Sequence, residues 1–377
     1  MIVHDTFVFG ALYSTLNDFR HAGVIFFCHV CRRGEQNGGA ACCFFDMKTA
    51  RLFLPLIIFV CHAVSGCCLI YDYDNCPPES EDDFDVDSDW KDAPAAQPEG
   101  MAYVFFPADG GEAWRFDFPG RAGGVARLPD GEYSVVVFND DTSAVLFGDS
   151  DDYYNFTFYC RRGGLYDGLG GTLENPIGPD VAPGGENVEI CPDMLWCDEC
   201  CDFMLTPEGT VVERTNGGRI ETGDERCLTM YPRQAVARYR FSILEVSNLG
   251  GVARMCASLS GMASSLRPYG MYRGAPVTLP VAAHAEGNNA IVGDFLTFGL
   301  PSEGAAPNML SLYVWLADGR KFCYGFDVSG QTRAAADPLN VDIVVSGLEL
   351  PESGEPVGGG FDVSVDGWVT TIINIQS

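Results

Sequence analysis

The sequence predicts an all-β fold of two tandem β-sandwiches. Three observations carry that prediction. Apolar and aromatic residues come in short runs, many alternating with polar ones, the two-residue period of a strand with one buried face. Turn formers, 44 Gly and 22 Pro in 377 residues, interrupt those runs about every 8–12 positions, as in sandwich folds. A hydrophobic share of 47% can fill sizeable cores, and the length suits two domains of ordinary size.

The first element is a leader at residues 47–66. Lys48 and Arg51 precede an apolar run beginning at Leu52, which ends in Val64, Ser65, Gly66 and Cys67. A run of about 13 residues makes a helix of only about 20 Å, too short for a ~30 Å hydrocarbon core. Cations, a short apolar run and small residues are the layout of a secretory signal. The ending resembles the bacterial lipobox, which implies cleavage before Cys67 and acylation of its thiol. Several acyl chains anchor a protein stably where one does not. A leader belongs at the start of a chain, so Met47 is the expected first residue and 1–46 an over-extended gene model. Cys28 and Cys31 form one CxxC without a second pair, which is not a zinc signature.

Residues 67–99 read as an acidic tether and first strand. Asp72, Asp74, Glu79, Glu81, Asp82, Asp83, Asp85, Asp87, Asp89 and Asp92 crowd it, and such runs are usually solvated. Asp85, Asp87 and Asp89 fail as a calcium loop, because Trp90 stands where an EF-hand needs Gly.

An N-terminal sandwich is expected over 100–215. Met101 to Phe106, Ala113 to Phe118 and Ser134 to Asn139 are its strand runs, the last β-branched like a central strand. From 161 to 185, glycines and prolines predict a long surface loop, where binding residues often sit. A polar stretch near 215–224 marks the boundary. A C-terminal sandwich follows over 225–348, with strands from 235, 252, 290, 309, 321 and 341 and a hairpin turn at Asp318-Gly319. Residues 349–377 are a joint at Gly358, Gly359 and Gly360 followed by a final strand beginning at Trp368.

Chemistry is sparse. The net charge of −29, with lysine only at 48, 91 and 321, argues against nucleic acid. Beyond the leader His284 is the sole histidine, and no nucleophile elbow, P-loop or dinucleotide fingerprint is present. Ser260 lacks the flanking Gly of such an elbow. Neither a catalytic residue nor a cofactor is expected. Cys191, Cys197, Cys200 and Cys201 are the local oddity. They admit disulfides, with Cys227 or Cys160 as outside partners, or free thiols, or a metal site. Neighbouring Cys200 and Cys201 cannot easily bridge each other.

Several phrases carry a resemblance: Asp89-Trp90-Lys91-Asp92-Ala93-Pro94, Arg115-Phe116-Asp117-Phe118-Pro119-Gly120-Arg121, Phe138-Asn139-Asp140-Asp141-Thr142, Pro192-Asp193-Met194-Leu195-Trp196 and Ala257-Ser258-Leu259-Ser260-Gly261-Met262-Ala263. In this order they resemble Bacteroidota lipoproteins related to the fimbrillin and fimbrial-anchor superfamily, from about Asp85 to the C-terminus. The resemblance implies two transthyretin-like β-sandwiches, a lipidated N-terminus at the outer membrane and a cell-surface role as fimbrial anchor or accessory subunit. Its partners would be the membrane and other fimbrial subunits, and it carries over no catalytic residue. The cysteine cluster departs from it. Assembly by β-strand exchange through the final strand is the expected mechanism. A surface glycan-binding lipoprotein is the alternative, through the rings of Trp114, Tyr153 and Tyr154; core packing is the competing role for those rings.

Overall fold

A computed structural model describes residues 7–11, 26–30, 83–206, 209–214, 219–223, 226–304, 306–354 and 367–373. The leader, Cys67, the first part of the acidic run and Gly358 to Gly360 lie outside these residues, as does most of 1–46. The chain divides into two units, Met1–Cys76 and Pro77–Ser377. In the first, β1 (Phe7–Ala11) pairs antiparallel with β2 (Phe26–Val30).

The second unit begins with β3 (Asp83–Ser88), β4 (Gly100–Pro107), β5 (Trp114–Pro119), β6 (Gly123–Arg127), β7 (Gly131–Asn139), β8 (Val145–Gly148) and β9 (Thr157–Cys160). Next come β10 (Trp196–Thr206), β11 (Gly209–Arg214), β12 (Arg219–Gly223), β13 (Cys227–Met230) and β14 (Arg233–Gln234). Its second half holds β15 (Ala237–Leu244), β16 (Val252–Ala263), β17 (Ser265–Arg267), β18 (Tyr272–Arg273), β19 (Pro276–Ala282) and β20 (His284–Glu286). It ends with β21 (Ala290–Thr297), β22 (Met309–Leu316), β23 (Lys321–Asp327), a short helix (Ser329–Arg333), β24 (Asn340–Ser346) and β25 (Trp368–Ile373).

In the first sandwich a large sheet, in the order β12-β11-β10-β7-β4-β5 with β14 beside β10, packs on a small sheet, β13-β3-β6. The first strand expected within 67–99 is β3, and it is a core strand. In β3, Phe84, Val86 and Ser88 are buried while Asp83, Asp85 and Asp87 face water, so the acids occupy one face of an alternating strand. Phe84 meets Phe105 edge-on at 5.7 Å, and each fully buried ring of this size is worth about 2–3 kcal/mol. Trp90 is buried too, its Nε1 donating to the Arg121 carbonyl at 2.7 Å. The boundary also shifts. β3 and β13 pair in parallel, Asp85 opposite Cys227, so the first sandwich takes strands from both sides of 100–215.

A third layer covers the other face of the large sheet. β18-β17-β9-β8 form one sheet, β8 and β9 coming from the first half and β17 and β18 from the second. Phe156, Phe158 and Leu266 pack there against Val136 and Phe138. β7 is thus covered on both faces, as its β-branched run requires.

The second sandwich stacks β20-β21-β15-β24 on β19-β16-β22-β23-β25 around Tyr239, Phe241, Ile291, Leu312 and Phe326. β19 escapes the sequence reading because Pro276 and Pro280 interrupt it. It is the end strand of its sheet, where a missing N–H is tolerated. The glycine-rich segment after Arg161 is no free surface loop. Val188 bridges Thr278 on β19, and Leu165, Tyr166 and Val188 bury against Cys256, Tyr313 and Trp315 on the outer face of the second sandwich.

Candidate functional site

The cysteine cluster disperses across the fold. β10 bears Cys200 on the core shared with the small sheet, and Cys197 and Cys201 on the opposite core. A register shift between Cys200 and Phe203 accompanies this run. Cys191 lies against the second sandwich, its thiol donating to the Pro280 carbonyl at 3.4 Å. In this structure, which represents the reduced chain, Cys160, Cys191 and Cys197 are unbridged. Burial pushes the pKa values of Cys191 and Cys197 up to about 12. Among the described residues, no three His, Cys, Asp or Glu side chains gather to hold a metal ion. A metal centre for these four cysteines does not fit that arrangement.

Ser260 and His284 do not meet as a catalytic pair. Ser260 sits on β16, its hydroxyl donating to the Pro307 carbonyl and accepting from the Met309 amide. His284 lies on β20, in the opposite sheet, and is exposed. The three rings expected for a glycan surface separate as well. Trp114 is half-buried against the first core and Tyr153 is buried. The Tyr153 hydroxyl hydrogen-bonds the buried Glu199 carboxylate. Tyr154 alone is open, 56% exposed, with Tyr269 edge-on at 4.9 Å.

A cavity of about 200 Å³, which the sequence did not reveal, opens between β5, β7 and β8. Phe138, Phe147 and Phe158 line it with Arg115 and Asp140. The Arg115 guanidinium stands 5.0 Å from the Phe147 ring centroid and pairs with Asp117 at 2.7 Å and Asp140 at 3.6 Å. Burial, with Asp117 nearby, raises the Asp140 pKa.

The final strand is the most distinctive feature. β25 pairs in parallel with β23, Lys321 opposite Trp368 and Phe326 opposite Ile373, and ends its sheet. Trp368 holds one end, with Trp315 at 4.7 Å, Tyr313 at 5.4 Å and Tyr166 at 5.7 Å. Ile373 touches the core at the other end. Between them Val369 is 54% and Ile372 68% exposed. The strand is therefore held mainly by its ladder and two terminal side chains.

Stacked sheets, one of them ending in an edge strand with exposed apolar residues, define an all-β protein of the sandwich class. Residues 69–272, more than half of the sequence, match the family described as a domain of unknown function, DUF5119, and the chain belongs to that family. A Bacteroides ovatus protein named as a fimbrium anchoring subunit is 24% identical over 229 residues. The match spans 60% of this chain and 60% of that relative. A crystal structure described as an adhesin from Bacteroides ovatus shares the fold, with a TM-score of 0.53 at 19% identity, covering 78% of this chain and 99% of that one. The fimbrial anchor protein Mfa2 of Porphyromonas gingivalis matches more loosely, with a TM-score of 0.42 at 13% identity over 70% and 89% of the two chains.

Proposed function

We propose that the protein is a fimbrial anchor or accessory subunit, structural rather than enzymatic, which assembles by β-strand exchange. β25 carries the reading: it is an end strand with a largely exposed middle, and strand addition supplies main-chain hydrogen bonds at such an edge. The anchoring relative supports the assignment to fimbriae. In this reading Cys67 bears the lipid, the outer membrane holds the protein at the cell surface, and other fimbrial subunits are its partners. Deleting residues 358–377 should abolish recovery of fimbrial subunits with the protein from envelope fractions while leaving it folded by circular dichroism. Unchanged recovery would refute strand exchange. Substituting Cys67→Ala should release the protein from the membrane fraction and stop palmitate labelling.

A second reading, glycan binding, is favoured by the cavity at Arg115 and Asp140, where aromatic walls meet a charged pair. Glycan-array binding lost in Phe147→Ala would move the assignment to that reading.

A further inference from the structure

We propose that Cys160 and Cys191 form a cross-strand disulfide that closes the base of the segment between them. Arg162 and Glu189 make an isolated antiparallel bridge. It is flanked by the Gly163 amide donating to the Val188 carbonyl and the Ile190 amide donating to the Arg161 carbonyl, both at 3.0 Å. Antiparallel register advances one residue on each side, so the next pair beyond Arg161 and Ile190 is Cys160 with Cys191. These two bonds join the neighbouring pairs, which makes this position a non-hydrogen-bonded one. At such positions Cα atoms stand about 4.5 Å apart with side chains close, inside the roughly 4.4–6.8 Å that a disulfide spans.

Among the described residues, Cys256 and Cys323 are a second candidate pair, but they lack this relation. Cys256 and Cys323 both lie opposite Tyr313. A whole strand separates them, and two interstrand steps of about 4.8 Å exceed a disulfide's reach. Cys227 faces Asp85, and Cys197 faces Phe138 and Arg233. The charge of Cys191 is also among the causes that push the Cys160 thiol up, after burial itself, which places both sulfurs in one field. Forming the bond replaces the weak contact of Cys191 with the Pro280 carbonyl.

The step is thiol–disulfide exchange. The two thiols surrender two protons and two electrons to a disulfide oxidant, which leaves as two thiols through a mixed disulfide. Burial holds both thiols protonated once the chain is folded, and the thiolate is the attacking species. The bond therefore forms during folding rather than afterwards. It would fasten the segment whose Leu165, Tyr166 and Val188 cover the second sandwich. None of this depends on the fimbrial assignment.

The test is peptide mapping of the purified protein refolded with oxidised glutathione, alkylated and cleaved before aspartate without reduction. Cleavage before Asp193 separates Cys191 from Cys197. The expected product links peptide 152–166 to peptide 180–192, disappears on reduction, and is missing from Cys160→Ser and from Cys191→Ser. Reduction should lower the melting temperature of the parent protein by several degrees and leave the double serine variant unmoved. Recovery of both peptides alkylated, or of Cys191 bridged to Cys197, Cys200 or Cys201, overturns the proposal.

Discussion

At the scale of single residues, polar groups are buried where a partner or a protonation state permits it. The Ser88 and Tyr103 hydroxyls share a hydrogen bond of 2.6 Å in the first core, so an alternating strand ends inward on Ser without an orphaned group. Glu189 is a costlier case. Burial raises its pKa to about 7 against an opposing pull from Arg162. A carboxyl that titrates higher folded than unfolded binds more protons in the folded state between the two values. Its contribution is whole below the unfolded value and is lost as pH rises to about 7. The Glu189→Gln variant should therefore gain about 1 kcal/mol over the parent at pH 8, the full shift being discounted for its partial exposure. The gain should vanish near pH 4. Urea unfolding at the two pH values measures it, and an equal difference at both would show that Glu189 does not titrate as described.

At the scale of elements, two of the edge strands of the second sandwich, β24 and β25, are treated differently. β24 ends one sheet, and Gln331 of the short helix closes it. The Gln331 Nε2 donates to the Val344 carbonyl at 2.9 Å, and its Oε1 accepts from the Val344 amide at 2.8 Å. One side chain imitates a neighbouring strand and blocks addition there. Gln331→Ala should cost about 1 kcal/mol and produce concentration-dependent self-association in sedimentation. A variant that stays monomeric would mean that the edge is protected by other means. Glycine also acts at this scale. A Cβ on Gly168 would stand 2.1 Å from the Val281 carbonyl oxygen of β19. Gly168→Ala should lift its segment from the sheet and cost about 2 kcal/mol or more, seen as faster amide exchange around Tyr166. These cases show what the sequence displays and what it hides. Runs such as Met309 to Leu316 and Ser134 to Asn139 announced strands, because periodicity is local. A first strand is expected within 67–99, but the acids of β3 hid which residues form it and that it faces the core, because composition drowned an alternation of only three inward positions. The glycines after Arg161 looked like slack chain, whereas their use is close approach to a strand far away in sequence. The cavity at Arg115 and the edge at β25 depend on which strands become neighbours, and no local pattern encodes that.

At the scale of the whole second unit, the sandwiches interlock. β17 pairs with β9, Leu266 opposite Phe158 and Ser265 opposite Tyr159, so strands from both halves complete one sheet over the first core. In return, the segment after Arg161 leaves the first half to cover the second sandwich, where Tyr166 meets Tyr313 at 5.1 Å and Trp315 at 5.4 Å. Cutting the chain between the halves would strip Phe156 and Phe158 of Leu266 on one side. It would also uncover Cys256, Tyr313 and Trp315 on the other. Each half loses several large buried side chains at about 1.5–3 kcal/mol apiece, comparable to the whole stability of an ordinary domain, about 5–15 kcal/mol. The unit should therefore unfold in one cooperative step, with calorimetric and van't Hoff enthalpies in agreement. A fragment of 225–348 alone should lack native near-ultraviolet circular dichroism. Two separated transitions, or a folded fragment, would mean that the sandwiches are independent.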